Sequence, residues 1–143
     1  MKSFLYNKEN TLLVENKLEE KGILPMLLMM RAGYNIYKII KEKIKYDEII
    51  VLIGSGNNGG DAIAFAIQAA LNNEKVICLR LTNKKKMPEN LLSIAKNIGL
   101  KISKFKKSIF ETRKKKVIVD GILGIGISRE TKGLIYNSIE YIN

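Results

Sequence analysis

Residues 47–54, DEIIVLIG, form a short, nearly unbroken apolar run that passes into the glycine-rich stretch GSGNNGGD. An alanine-rich helical pattern, AIAFAIQAAL, follows and ends at Leu71. A strand that is apolar on both faces has to be covered on both, which is the condition of a central strand in a parallel sheet. Strand, bare loop and small-residue helix together predict one βα unit, and most of the remaining chain repeats the pattern.

KVICLRL at 75–81 reads as the next strand, and PENLLSIAKNIG as a helix opened by Pro88 and ended by Gly99. KISKF at 101–105 reads as an edge strand, and KVIVDGILG from Lys116 to Gly124 as another buried strand leading into a second glycine-rich loop. KGLIYNSIEYIN has a helical pattern to the last residue. Before the first strand, residues 9–21 suit a short amphipathic helix closed by Gly22, and MLLMMRAGYNIYKIIKEKIK repeats apolar residues at helical spacing. Its methionines read as core filling, since flexible thioethers pack irregular gaps. The expected fold is α/β, a Rossmann-like three-layer sandwich on a mostly parallel, doubly wound sheet.

Composition removes several chemistries. The 143 residues contain no histidine, which excludes serine–histidine and cysteine–histidine catalysis and HExxH zinc sites. Proton transfer then falls to carboxylates, lysine, tyrosine or backbone. The single cysteine, Cys78, allows no internal disulfide and reads as a buried strand residue. No apolar run approaches the roughly 18 residues that span a bilayer, and MKSFLYNKEN lacks the apolar core of a secretory signal, so the expected location is the cytoplasm. The net charge of +11 comes mainly from lysine, concentrated at 84–86, 104–107 and 113–116. With little arginine and few interleaved aromatics, it reads as a solvated surface rather than a nucleic-acid interface.

In doubly wound sheets the ligand lies beyond the carboxyl ends of the strands. GSGNNGGD and GILGIGISRE both leave such ends toward helices, so free amides and a positive helix end can face an anion there. Gly54, Gly56 and Gly59 satisfy GxGxxG, so a plain dinucleotide-binding domain is one reading. The acid that usually follows at the end of the second strand is absent, and Arg80 stands there instead. No GKS or GKT follows the loop, so it is not a Walker A motif. NNGGD is more specific, with two amides, two glycines and a carboxylate in sequence. Asp61 as a simple helix cap and Asp120 as a turn residue remain open alternatives.

VLIGSGNNGGDAIAFA resembles the phosphate-binding loop of the NAD(P)H-hydrate epimerases, the YjeF N-terminal domain family. GILPMLLMMRAG resembles that family's Leu-Met-Glu-x-Ala-Gly helix, with Met30 in place of the glutamate and Arg31 after it. VIVDGILGIGISRETKG resembles its Val-Asp-Ala-x-x-Gly-x-Gly-x-x-Arg segment. Order and spacing agree from about residue 9 to 143.

The resemblance implies cofactor repair: interconversion of the R and S epimers of hydrated NADH or NADPH, with a potassium ion beside the substrate. It assigns Asn57, Asn58, Gly59, Gly60 and Asp61 to the substrate, and Asn58 and Asp120 to potassium. The loop of Gly124, Ile125, Gly126, Ile127, Ser128, Arg129 and Glu130 would wrap the phosphate side, with Ser128 and Arg129 as polar contacts. Asp61 is the candidate for giving and taking the proton where histidine is absent. Residues 1–143 are expected to be one such domain, ending before the family's Asp-x-Pro-Ser-Gly segment and later strands. A homodimer is expected, with a separate chain supplying the missing part or the companion dehydratase. The alternative functions are a non-catalytic dimerising or RNA-associated scaffold, as this domain serves in messenger RNA decapping proteins, and an inactive fragment.

Overall fold

A computed structural model describes residues 7–82, 89–124 and 130–142. In chain order the elements are α1 (Lys8–Glu20), α2 (Pro25–Lys43), β1 (Glu48–Ile53), α3 (Asn57–Leu71), β2 (Val76–Arg80), α4 (Glu89–Asn97), β3 (Ile102–Lys104), a one-turn 3-10 helix (Lys107–Ile109), β4 (Lys116–Gly121) and α5 (Gly133–Ile142). The strands form one sheet in the order β3-β2-β1-β4, every pair parallel. The chain steps outward from β1 to β3, then returns to the other side of β1 for β4. That reversal is the doubly wound topology expected, and it opens a crevice between β1 and β4.

Alternation along β1 divides the core. Ile49, Val51 and Ile53 pack with Ile63 and Ile67 of α3, Met29 of α2 and Leu91 of α4 on one face. Ile50 and Leu52 pack on the other with Leu79, Phe105, Phe110 and the α5 residues Ile135 and Ile139. All six β1 side chains are buried, which accounts for a strand without polar alternation. The one acid among them, Glu48 at the entry to β1, receives Lys75 at 2.8 Å and Lys114 at 3.3 Å. The Lys75 hydrogen bond, and less strongly Lys114, hold the Glu48 carboxyl below the usual range despite its burial. Its stabilising contribution is therefore present above the ordinary glutamate range and lost as pH falls through the lowered value.

Small residues set how closely the layers approach. A Cβ at Gly33 of α2 would lie 2.5 Å from the Phe65 backbone nitrogen of α3, so these helices meet backbone to backbone. Alanines at 62, 64, 66 and 69 give α3 the low profile that lets it lie against β1.

Several boundaries differ from the sequence expectation. α3 begins at Asn57 rather than near Asp61, because Gly56 takes φ +87° and turns the chain four residues sooner. β4 ends at Gly121 and is half-exposed rather than buried, with Ile118 at 38%. Its outer side pairs with no strand among the described residues, so only one flank is covered. α1 forms as expected, capped by Asn7 through the Asn10 amide at 2.8 Å, yet none of its residues is buried. Pro88 and the lysines at 84–86 fall outside the described residues.

Cys78 is 1% exposed at the centre of β2, and burial pushes its thiol up to about 12. A thiol held neutral and covered is a poor nucleophile. We expect no reaction with a thiol reagent near pH 8 in the native protein and one thiol per chain after unfolding in guanidinium; rapid native labelling would contradict this packing.

Candidate functional site

The crevice is built by two loops whose backbones touch. At the tip of β1 the Gly54 amide donates to the Gly121 carbonyl at 3.0 Å, extending the sheet by one bond. A Cβ on Gly54 would overlap the Ile122 carbonyl, and one on Gly59 would overlap the Gly54 carbonyl. A Cβ on Gly121 would meet the Ala62 side chain and come within 3.1 Å of the Asn58 carbonyl oxygen. Three glycines thus form a mutual contact that no side chain could share, and this explains a loop so poor in side chains.

Asn58 connects the two loops. Its Nδ2 donates to the Leu123 carbonyl at 2.8 Å, across 65 residues of sequence, and Gly124 lies against its Cβ. That hydrogen bond uses the donor half of the amide and leaves Oδ1 as an acceptor. On the other wall, Asp120 Oδ1 accepts from the Ile122 amide at 2.8 Å, and Oδ2 accepts no hydrogen bond among the described residues. Asp120 therefore acts as a turn residue through Oδ1.

α3 opens at the crevice with no side-chain cap; its first intrahelical bond is Gly60 amide to Gly56 carbonyl at 3.1 Å. The amides of Asn57, Asn58 and Gly59 precede that bond and have no partner within the helix, while the helix dipole leaves this end positive. Asn57 is exposed, Gly59 and Gly60 are buried, and Asp61 is half-buried. Asp61 lies a full turn inside α3, so it is not the helix cap. Burial, with a smaller contribution from Glu15 of α1, raises its carboxyl above the usual aspartate range.

Of the expected site residues, the structure brings together Asn57, Asn58, Gly59, Gly60 and Asp61 on α3 with Gly124 on the facing loop. Glu130 is exposed, and residues 125–129, including Ser128 and Arg129, lie outside the described residues. No cluster of three or more aspartate, glutamate, cysteine or histidine residues suited to a metal occurs among the described residues. Sequence reasoning missed the Leu123 carbonyl and the Gly54–Gly121 contact. The glycine after Asp120 was a signal for the second; nothing in the sequence marks a carbonyl. A hollow bordered by Val14, Leu18 and Lys21 is walled only by α1 and its C-terminal cap.

Strand order, a crevice at the topological reversal and a helix opening on glycines define the class as a Rossmann-like, doubly wound α/β fold. The crystal structure of yeast ynu0, YNL200c, shares this fold, matching 98% of this chain and 65% of its own with a TM-score of 0.80 at 17% identity. Residues 26–143 match the family described as YjeF-related protein N-terminus, and the chain belongs to that family. It is 35% identical over 142 residues to the NAD(P)H-hydrate epimerase of Nitrosopumilus maritimus, covering 91% of this chain and 64% of the relative. It is 34% identical to the bifunctional NAD(P)H-hydrate repair enzyme of Dictyoglomus turgidum, covering 97% of this chain and 28% of the relative. The chain spans less than two thirds of the length of these relatives.

Proposed function

We propose that the chain interconverts the R and S epimers of hydrated NADH and NADPH in the crevice between the β1–α3 and β4–α5 loops. The observation that carries this reading is the Asn58–Leu123 hydrogen bond, which faces the opening of α3 toward the loop beyond Asp120. Relatives at 34–35% identity that bear the epimerase and repair names support the choice of substrate. The uncapped amides of Asn57, Asn58 and Gly59 would receive a phosphate of the dinucleotide, and Gly60 lets the backbone approach it closely. The loop from Gly124 to Glu130, with Ser128 and Arg129, would close the phosphate side.

Asp61 is the proton-transfer group in this reading. Epimerisation remakes a bond at the hydrated carbon, and a carboxyl raised above the usual aspartate range by burial holds a proton on Oδ more readily and can release it again. The donor set fits a potassium ion: Asn58 Oδ1 and the second oxygen of Asp120 are hard oxygen ligands left without hydrogen bonds among the described residues. Asn58 and Asp120 would hold the ion, which would offset negative charge on the bound nucleotide. The same reading takes residues 1–143 as one unit, acting in the cytoplasm as a homodimer or together with a chain that supplies further strands or the dehydratase.

Incubating purified protein with separated hydrated NADPH epimers and potassium, and following their equilibration by chromatography, tests the proposal. We expect acceleration over the uncatalysed rate and a rise in melting temperature on adding the hydrate. No acceleration and no thermal shift would overturn it.

A further inference from the structure

The two edges of the sheet differ in how they meet solvent. β3, at one edge, is three residues long and flanked by Lys101 and Lys106, a short, like-charged edge that repels a second strand. β4, at the other, runs six residues in unbroken register with β1, carries no proline, and pairs with no strand on its outer flank among the described residues. The carbonyls of Lys115 and Gly121 accept from the Asp47 and Gly54 amides on the β1 side. Backbone groups alternate along a strand, so Val117, Val119 and Gly121 bond inward while Lys116, Ile118 and Asp120 turn their amides and carbonyls outward. Such a row is a template for an extended chain.

The side chains of the row say which chain fits. Lys-Val-Ile-Val-Asp, residues 116–120, is complementary to its own reverse. In an antiparallel pair, a residue that bonds outward stands opposite another that does, so Ile118 can face Ile118 of a second copy. That register sets Lys116 opposite the partner's Asp120 and Val117 opposite the partner's Val119, and a two-fold axis repeats each contact in reverse. Opposite charges and β-branched pairs then meet along the whole strand. Sliding the partner by two residues either way sets Ile118 against a charged residue.

The surroundings agree with this register. Ile118 is 38% exposed, and Asp120 is exposed and makes no ion pair among the described residues. Lys116 has no carboxylate partner among them either; its Nζ donates to the Thr112 and Lys114 carbonyls at 2.8 and 3.2 Å and keeps a third proton. Ile118 lies on the face of Ile50, its register partner on β1, where α5 packs through Ile135 and Ile139 and leaves Leu134 and Tyr136 exposed. A two-fold axis normal to the sheet keeps that face of both copies on one side.

We propose that two copies of this chain join edge to edge through antiparallel β4 strands, with Ile118 on the two-fold axis, giving one sheet that runs from β3 of one copy to β3 of the other. The interface goes beyond the epimerase reading and holds whether or not the chain turns over a hydrate. A carboxylate has lone pairs enough for Asp120 to face both the partner's Lys116 and a cation in the crevice.

Sedimentation equilibrium of the purified protein over roughly 1–100 μM is expected to show a dimer of twice the 16.2 kDa chain mass. Ile118→Pro removes an outward amide and spares the inward bonds to β1, so it is expected to raise the dimer dissociation constant about 10-fold or more with circular dichroism unchanged. Lys116→Glu, which opposes like charges at both ends, is expected to raise it about 5-fold or more. Ile118→Cys reads the register and keeps the question answerable if the proline variant fails to fold. Facing residues have Cα atoms about 5.5 Å apart, so mild oxidation should link two copies at this position. Lys116→Cys, whose copies would lie about 13 Å apart, should stay unlinked. The native Cys78 is buried and takes no part. A monomer throughout the concentration range would overturn the proposal and leave the β4 edge to a strand of some other polypeptide. A dimer unchanged in Ile118→Pro, or equal cross-linking of the two cysteine variants, would overturn it as well.

Discussion

Gly54→Ala is expected to lower the stability of the fold by about 3 kcal/mol, with a fall in melting temperature of about 10 °C or more. The added methyl group would overlap the Ile122 carbonyl, which is backbone and has no rotamer through which to escape. β1 and β4 would have to part at the point where the Gly54 amide meets the Gly121 carbonyl. Because that parting opens the crevice, loss of activity should accompany loss of stability. Gly124→Ala supplies the comparison: its Cβ would lie 3.3 Å from the Asn58 Cβ, a slight crowding rather than an overlap with a carbonyl, so its cost should stay below about 1 kcal/mol. Urea denaturation of both variants decides the matter, and equal midpoints would refute the backbone contact described here.

Asp61→Asn is expected to lower kcat by about 100-fold or more, the usual share of a general acid–base group, while raising thermal stability at pH 7. The second effect follows from the raised carboxyl pKa. An aspartate whose folded-state pKa lies above its unfolded value of 3.8 favours the native state only while it carries its proton. Below the unfolded value both states are protonated and no penalty exists. As pH rises through the raised folded value, the half-buried charge becomes a cost that asparagine avoids. The stability gain of Asp61→Asn should therefore be present at neutral pH and vanish in acid below the ordinary aspartate range. Glu15→Gln, which removes the smaller contribution from α1, should shift the acid limb of the wild-type pH–rate profile downward. A variant that loses activity without gaining stability at pH 7 would show that Asp61 is not desolvated.

Much of the fold was legible in order. β1, α3, β2 and α4 declared themselves because each has a clear period, a continuous apolar run or apolar residues at helical spacing, that favours one kind of element. α3 was misplaced by four residues because its start depends on a positive φ at Gly56, and a glycine in the sequence does not say which way it will turn. The exposure of β4 was likewise hidden. KVIVD has the composition of a covered strand, and whether a neighbour lies on each side is decided by pairing, which residues distant in the chain control.

By itself, the sequence determined that this chain makes a parallel α/β sheet with bare glycine loops at its carboxyl edge and carboxylates in place of histidine. Those properties are local, set by which side chains each segment must bury and which backbone angles it must reach. Only the tertiary structure decided that Asn58 reaches Leu123, that Gly54 and Gly121 admit no Cβ, and that Asp61 sits half-buried a full turn inside α3. Each depends on strand register and layer spacing across more than twenty residues of chain, and such distances are set by packing the whole core rather than by any segment within it.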